Sequence, residues 1–300
     1  MEQRTSFEKE ISGNKLKSYA LSAAVFLVLT ALIFVIATVY SGEASFFFLV
    51  LAVPLSLVYI YASYAYGDKI VLASSNAQAV TKSTPKGEYL KNVVENLAFA
   101  ARLPKTPDLY VIESTELNAF ATGRDPEHAS VAVTTGLLNT LNRNELEGVI
   151  AHEISHVQNY DIRFSLLVAV MVGLIAILSH LFLRSLFYSK GDDKKGEGMI
   201  ILIIIGIVLA IIAPILVRIV QASVSRKREL LADASGARLT RDPGALASAL
   251  EKLSKVNKGD MKISEAESHL FFADATKSSL DGLFATHPPI EERIKILQAM

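Results

Sequence analysis

Apolar residues fall into two kinds of pattern along this chain. Four runs are apolar almost throughout: Ala20–Tyr40, Ala44–Tyr66, Phe164–Leu183 and Met199–Val217. The first two carry no charge, and in the third His180 stands alone as an ionisable group. Roughly 20 apolar residues of helix cross a hydrocarbon layer of about 30 Å, so four membrane-spanning helices are expected. A secretory leader does not account for the first run, which is longer than a signal core and is followed at once by a second.

The remaining stretches alternate more finely. Leu109–Ile112 follows Pro107 inside a strand expected over Asp108–Glu113, with two more strands at Ala119–Thr122 and Ser130–Thr134 around the turn residues Gly123–Pro126. Asn142–Asp161 has helical spacing: Leu146, Val149, Ile150, Ile154 and Val157 form the apolar stripe, and Asn142 with Glu145 makes a capping box. Arg226–Leu239 is a second amphipathic helix that stops near Asp242–Gly244, and Ala245–Val256 a third. The organisation expected is therefore 1–66, tail and two spans; 67–163, a soluble part; 164–217, a membrane hairpin; and 218–300, a second soluble part. Arg4, Lys9, Lys15 and Lys17, together with the bases of both soluble parts, put these segments on the cytoplasmic side. Ser189–Gly198, with Lys190, Lys194 and Lys195, fits that rule less well. The fold class is thus an α-helical, multi-pass membrane protein with a mostly α, α+β cytoplasmic domain containing a short sheet.

Composition sharpens the class. The chain is 51% hydrophobic and only 20% charged, with a mean hydropathy of +0.36, which excludes disorder. Thirty basic residues balance thirty acidic ones, so the basic footprint of a nucleic-acid binder is missing. With no cysteine, disulfides, thiolate metal sites and iron–sulfur clusters drop out.

One motif carries chemistry. His152, Glu153 and His156 spell H-E-x-x-H on the expected helix. Positions i and i+4 share a helical face, so two imidazoles converge on one ion while the glutamate between them serves as a base. With six His and nineteen Glu in 300 residues, random order yields roughly 0.008 such matches. A catalytic zinc takes three protein ligands and keeps a fourth position open. Glu229 is the best-placed third candidate, with Asp233 at i+4 suited to orienting a histidine; pairing of Glu229 with Arg226 or Lys227 on a solvated face is an equal reading of the spacing.

The chain resembles the HtpX-type integral-membrane zinc metalloproteases, relatives of the Ste24 CAAX-processing proteases, through Asn118–Gly123 (NAFATG), Ala151–His156 (AHEISH), Ser225–Asp233 (SRKRELLAD) and Thr286–Arg293 (THPPIEER). The resemblance implies a zincin-like protease domain and one Zn2+ per chain held by His152, His156 and Glu229, with Asp233 in support and Glu153 catalytic. It also implies Asn118, Ala119 and Phe120 as an edge strand for substrate, His287 as donor to the oxyanion, and Arg293 as a structural or substrate-contacting base. Cleavage of misfolded membrane proteins or unfolded polypeptides at a bacterial cytoplasmic membrane follows from the same likeness, as part of quality control under stress. Prenyl-protein cleavage and a non-catalytic zinc scaffold are the alternatives; the sequence leaves the oligomeric state open.

Topology adds a constraint of its own. His156 and Glu229 lie 73 residues apart with two apolar runs between them. A shared metal requires both runs to cross the bilayer, or neither.

Overall fold

The computed structural model describes residues 2–41, 45–84, 86–169, 204, 207, 226–256 and 288–300. Two long helices open the chain, α1 (Glu2–Ser41) and α2 (Phe46–Ser74). Both are long and apolar enough to cross a membrane, α1 over Ser18–Thr38 and α2 along its length. Large apolar side chains such as Leu27, Val58 and Tyr61 are exposed on them, as lipid-facing positions would be. Between the helices, Thr30 Oγ1 donates to Ser56 Oγ at 3.1 Å, the kind of polar contact that joins helices in an apolar medium. The first two expected spans fall on these two helices. Of the third, residues 164–169 are helical; its remainder and nearly all of the fourth lie outside the described residues.

After β1 (Gln78–Ala79) and α3 (Gly87–Ala100) come β2 (Asp108–Ile112), β3 (Ala119–Gly123) and β4 (Ala129–Thr134). The three expected strands are present within a residue, and β1 and α3 have no counterpart among the expected elements. The sheet order is β1-β2-β4-β3, with β4 parallel to β2 and antiparallel to β3. β3 is therefore an outer strand. Gly123 closes the β3–β4 turn at φ +145°, where a Cβ would fall 2.2 Å from the His128 carbonyl oxygen; only glycine suits that approach.

A short helix, α4 (Thr135–Thr140), leads to α5 (Arg143–Gln158). Asn142 caps α5 as its spacing predicts: its side chain accepts from Glu145 N at 3.0 Å, while Glu145 accepts from Asn142 N at 2.8 Å. The helix ends earlier than expected. Tyr160 adopts φ +60°, and a new helical stretch begins at 161. Then follow α6 (Arg226–Thr240), α7 (Pro243–Val256) and α8 (Ile290–Gln298).

The sheet is covered on both faces. Val131 and Val133 of β4 join Leu146, Val149, Ile150 and Ile154 of α5, with α3 and α7, in the main core. On the other face Phe120, Ala132 and Ile112 meet Val71 and Leu72 of α2, and Leu166. The end of α2 is thus part of the soluble domain. Arg163 stacks its guanidinium over both Tyr19 and Tyr64, at 4.9 and 5.2 Å, tying α1, α2 and residues 161–169 together.

Candidate metal centre

α5 and α6 pack side by side, and they bring His152, His156 and Glu229 to one point. The two Nε2 atoms stand 3.1 Å apart. Glu229 Oε2 is 3.6 Å from His152 Nε2, and its Oε1 is 3.4 Å from His156 Nε2. Ligands about 2.1 Å from a tetrahedral ion lie about 3.4 Å from one another, so the three edges match a metal's first coordination sphere. Among the described residues, this is the group of His and acidic side chains arranged to hold an ion.

A carboxylate backs each imidazole. Asp233 Oδ1 lies 2.9 Å from His152 Nδ1, and Asp161 Oδ2 lies 3.1 Å from His156 Nδ1. Such partners turn the far nitrogen's lone pair inward. Arg293 of α8 holds Asp233 through Nε at 2.8 Å and Nη2 at 2.7 Å, a bidentate charge-assisted pair. Burial works to raise the Asp233 pKa, yet the Arg293 charge and its hydrogen bonds bring it down to about 2.

Glu153 points to the sheet. It is buried, and burial raises its pKa against the lowering effect of His152, His156 and a hydrogen bond from the Ala121 backbone. That bond follows from the register. Thr134 N donates to Asn118 O at 2.9 Å, so Asn118, Phe120 and Thr122 turn their backbone groups towards β4, while Ala119, Ala121 and Gly123 turn theirs outward. Glu153 therefore lies against the outer edge of β3.

The field of the site favours cations. Four carboxylates (Glu153, Asp161, Glu229 and Asp233) face two guanidiniums, those of Arg228 and Arg293. Burial acts to lower the His156 pKa, but hydrogen bonding to Asp161 and the charges of Glu229, Asp161 and Glu153 lift it to about 9. The surplus negative charge that holds a proton there is also suited to a divalent ion.

The structure thus unites His152, His156, Glu229, Asp233 and Glu153, and sets Asn118, Ala119 and Phe120 at the start of the outer strand. The Phe120 side chain faces away from α5, into the core shared with α2. Arg293 is 1% exposed, and its contacts include Asp233, Glu229 and His152. His287 lies outside the described residues. Asp161 and Arg228 are site residues that the sequence reading did not single out.

An H-E-x-x-H helix joined by a glutamate from a later helix is the donor set of a metallopeptidase. Comparison with known proteins agrees. Residues 85–300 match the model of peptidase family M48. The chain is 49% identical over 249 residues to a protease HtpX homolog of Thermoanaerobacter pseudethanolicus, covering 81% of this chain and 82% of that one. It is 43% identical over 305 residues to a protease HtpX homolog of Caldanaerobacter subterraneus subsp. tengcongensis, covering 100% and 99%. The crystal structure of S. mikatae Ste24p shares the fold with a TM-score of 0.51 at 23% identity, over 96% of this chain and 66% of that one. The chain belongs to peptidase family M48, and it is a membrane-bound metalloprotease.

Proposed function

We propose that the chain is a zinc endopeptidase of the cytoplasmic membrane, cleaving misfolded or damaged membrane proteins on the cytoplasmic side as part of quality control under stress. One observation carries the catalytic reading: the 3.1, 3.4 and 3.6 Å triangle of His152, His156 and Glu229 beside a buried Glu153. Zinc in such a site supplies Lewis acidity towards a carbonyl and an acidified water. Glu153 takes a proton from the attacking water and hands it to the leaving amine; its raised pKa suits both halves of that task. The outward backbone groups of β3, from Ala119 on, receive the substrate as an added strand, which binds backbone rather than sequence. Asn118 helps set that edge, accepting through Oδ1 from Ala119 N at 3.1 Å. Asp233 orients His152, and Arg293 holds Asp233. By family resemblance His287 donates to the oxyanion. The basic N-terminal tail and soluble parts support a cytoplasmic site, reached by a hairpin over 164–217.

The test is proteolysis of casein by the detergent-purified protein, with zinc restored after chelation, beside Glu153→Ala. Cleavage lost in the variant while zinc stays bound is the expected result. No cleavage by either, with zinc stoichiometric in both, overturns the reading.

A further inference from the structure

We infer that Asp161 and Arg228 form a second positioning pair, behind His156, on which the strength of metal binding depends. The inference rests on reading His152, His156 and Glu229 as metal ligands. It adds to that reading two residues that touch neither metal nor substrate.

Asp161 reaches His156 by a route that helical spacing does not offer. Residues five apart on a helix do not face one another. Here α5 stops at Gln158, and Tyr160 takes the left-handed conformation at φ +60°. That reversal starts the next helical stretch at Asp161 and turns its carboxylate back, leaving Oδ2 3.1 Å from His156 Nδ1. A non-glycine residue in this conformation is strained, and strain of this kind clusters where function needs a particular geometry. With Nδ1 engaged, the Nε2 lone pair of His156 is directed at Glu229 and His152.

Arg228 supplies the opposing charge. Its Nη1 stands 3.6 Å from Asp161 Oδ1, and its guanidinium lies over the Phe164 ring at 4.9 Å. The side chain is 4% exposed, and its Nε, Nη1 and Nη2 make no hydrogen bond among the described residues. It therefore acts by charge and stacking rather than by a hydrogen-bonded fork. Arg228 adjoins Glu229 on α6, so one turn of helix delivers both the third ligand and the counter-ion of the second ligand's carboxylate.

The two supports differ in kind. Behind His152, Arg293 fixes Asp233 with two bonds of 2.7 and 2.8 Å. Behind His156 the arginine contact is 3.6 Å and without hydrogen bonds. The His156 arm is the looser of the two, and its support also sets metal affinity.

The experiment measures zinc affinity of the full chain in detergent by competition with a chromophoric chelator, alongside thermal melting and the Co2+ absorption spectrum. Asp161→Asn is expected to weaken zinc binding about 10–100-fold, the range for lost outer partners of ligands. Arg228→Gln weakens it in the same direction, and adding it to Asp161→Asn brings less than about a further twofold, because the arginine acts through the aspartate. Arg228→Lys, which keeps the charge, recovers most of the affinity. Zinc affinity within twofold of wild type in a folded Asp161→Asn overturns the inference. Should that variant fail to fold, an unchanged affinity in Arg228→Gln overturns it instead. A wild-type protein that binds no zinc sinks the metal-site reading itself, a result distinct from wild-type binding that the variants leave untouched.

Discussion

Gly236 of α6 rests on the backbone of His152: a methyl group there would stand 3.0 Å from the His152 nitrogen and 3.2 Å from its Cα. Both neighbours belong to the spine of α5, which yields less readily than the end of a flexible side chain. Glu229, Asp233 and Gly236 follow i, i+4, i+7 spacing and share one face of α6. The closeness at Gly236 thus brings Glu229 and Asp233 within reach of the α5 imidazoles. Gly236→Ala is expected to destabilise the fold by about 1–3 kcal/mol and to weaken metal binding at the same time. Thermal melting and zinc competition on one sample check both.

The outward amide of Ala121 separates sheet from site. Proline is tolerated on an outer strand where its nitrogen faces away from the ladder. Ala121→Pro keeps the fold but removes the donor to Glu153, so kcat/KM falls about tenfold or more, the weight of a hydrogen bond to a charged group. Thr122→Pro, one residue on, strikes the β4-facing side of the ladder and lowers the melting temperature. Equal behaviour of the two variants would refute the register argument.

Removing the charge of Arg293 leaves Asp233 buried without its counter-ion, with the contact to His152 Nδ1 at 2.9 Å remaining. Arg293→Met is therefore expected to cost about 3–5 kcal/mol, and to weaken metal binding because His152 loses its held partner. Chemical denaturation with and without zinc measures the two effects separately.

Acid stability follows from Glu145. Burial acts to raise its pKa, but hydrogen bonds from Lys252, the Asn142 backbone and Ser248 outweigh burial and leave it below its ordinary 4.5. The folded protein therefore holds this proton less readily than the unfolded chain. The stabilisation is present above pH 4.5 and fades as pH drops through the lower folded value. Glu145→Gln should melt below wild type at pH 7, with the gap narrowing under acid. Melting curves from pH 7 to 3 test this.

What the sequence disclosed and what it hid divide along physical lines. The strands, the capped α5, α6 and α7 were legible because local spacing and capping dictate them. α3 escaped although Leu90, Val93, Val94 and Leu97 hold helical spacing: it starts after Lys86, in the left-handed conformation at φ +55° with no side-chain cap, so the usual start signal is missing. Asp161 escaped because helical periodicity continues on paper through Tyr160, where the backbone reverses. Gly236 reads as an ordinary helix defect costing about 1 kcal/mol. Its purpose depends on a neighbour 84 residues earlier.

α2 has a further consequence. Twenty-nine residues of helix reach about 44 Å at 1.5 Å each, against a hydrocarbon layer of about 30 Å. Its last turns, with Val71 and Leu72, are packed against the sheet that carries β3. One helix, with Pro54 inside it, therefore joins the candidate span to the sheet that carries β3 and acts as a ruler. If β3 takes the substrate as proposed, a polypeptide leaving the lipid would extend by up to about 14 Å, or about four residues at 3.3 Å each, before its backbone could lie along that strand.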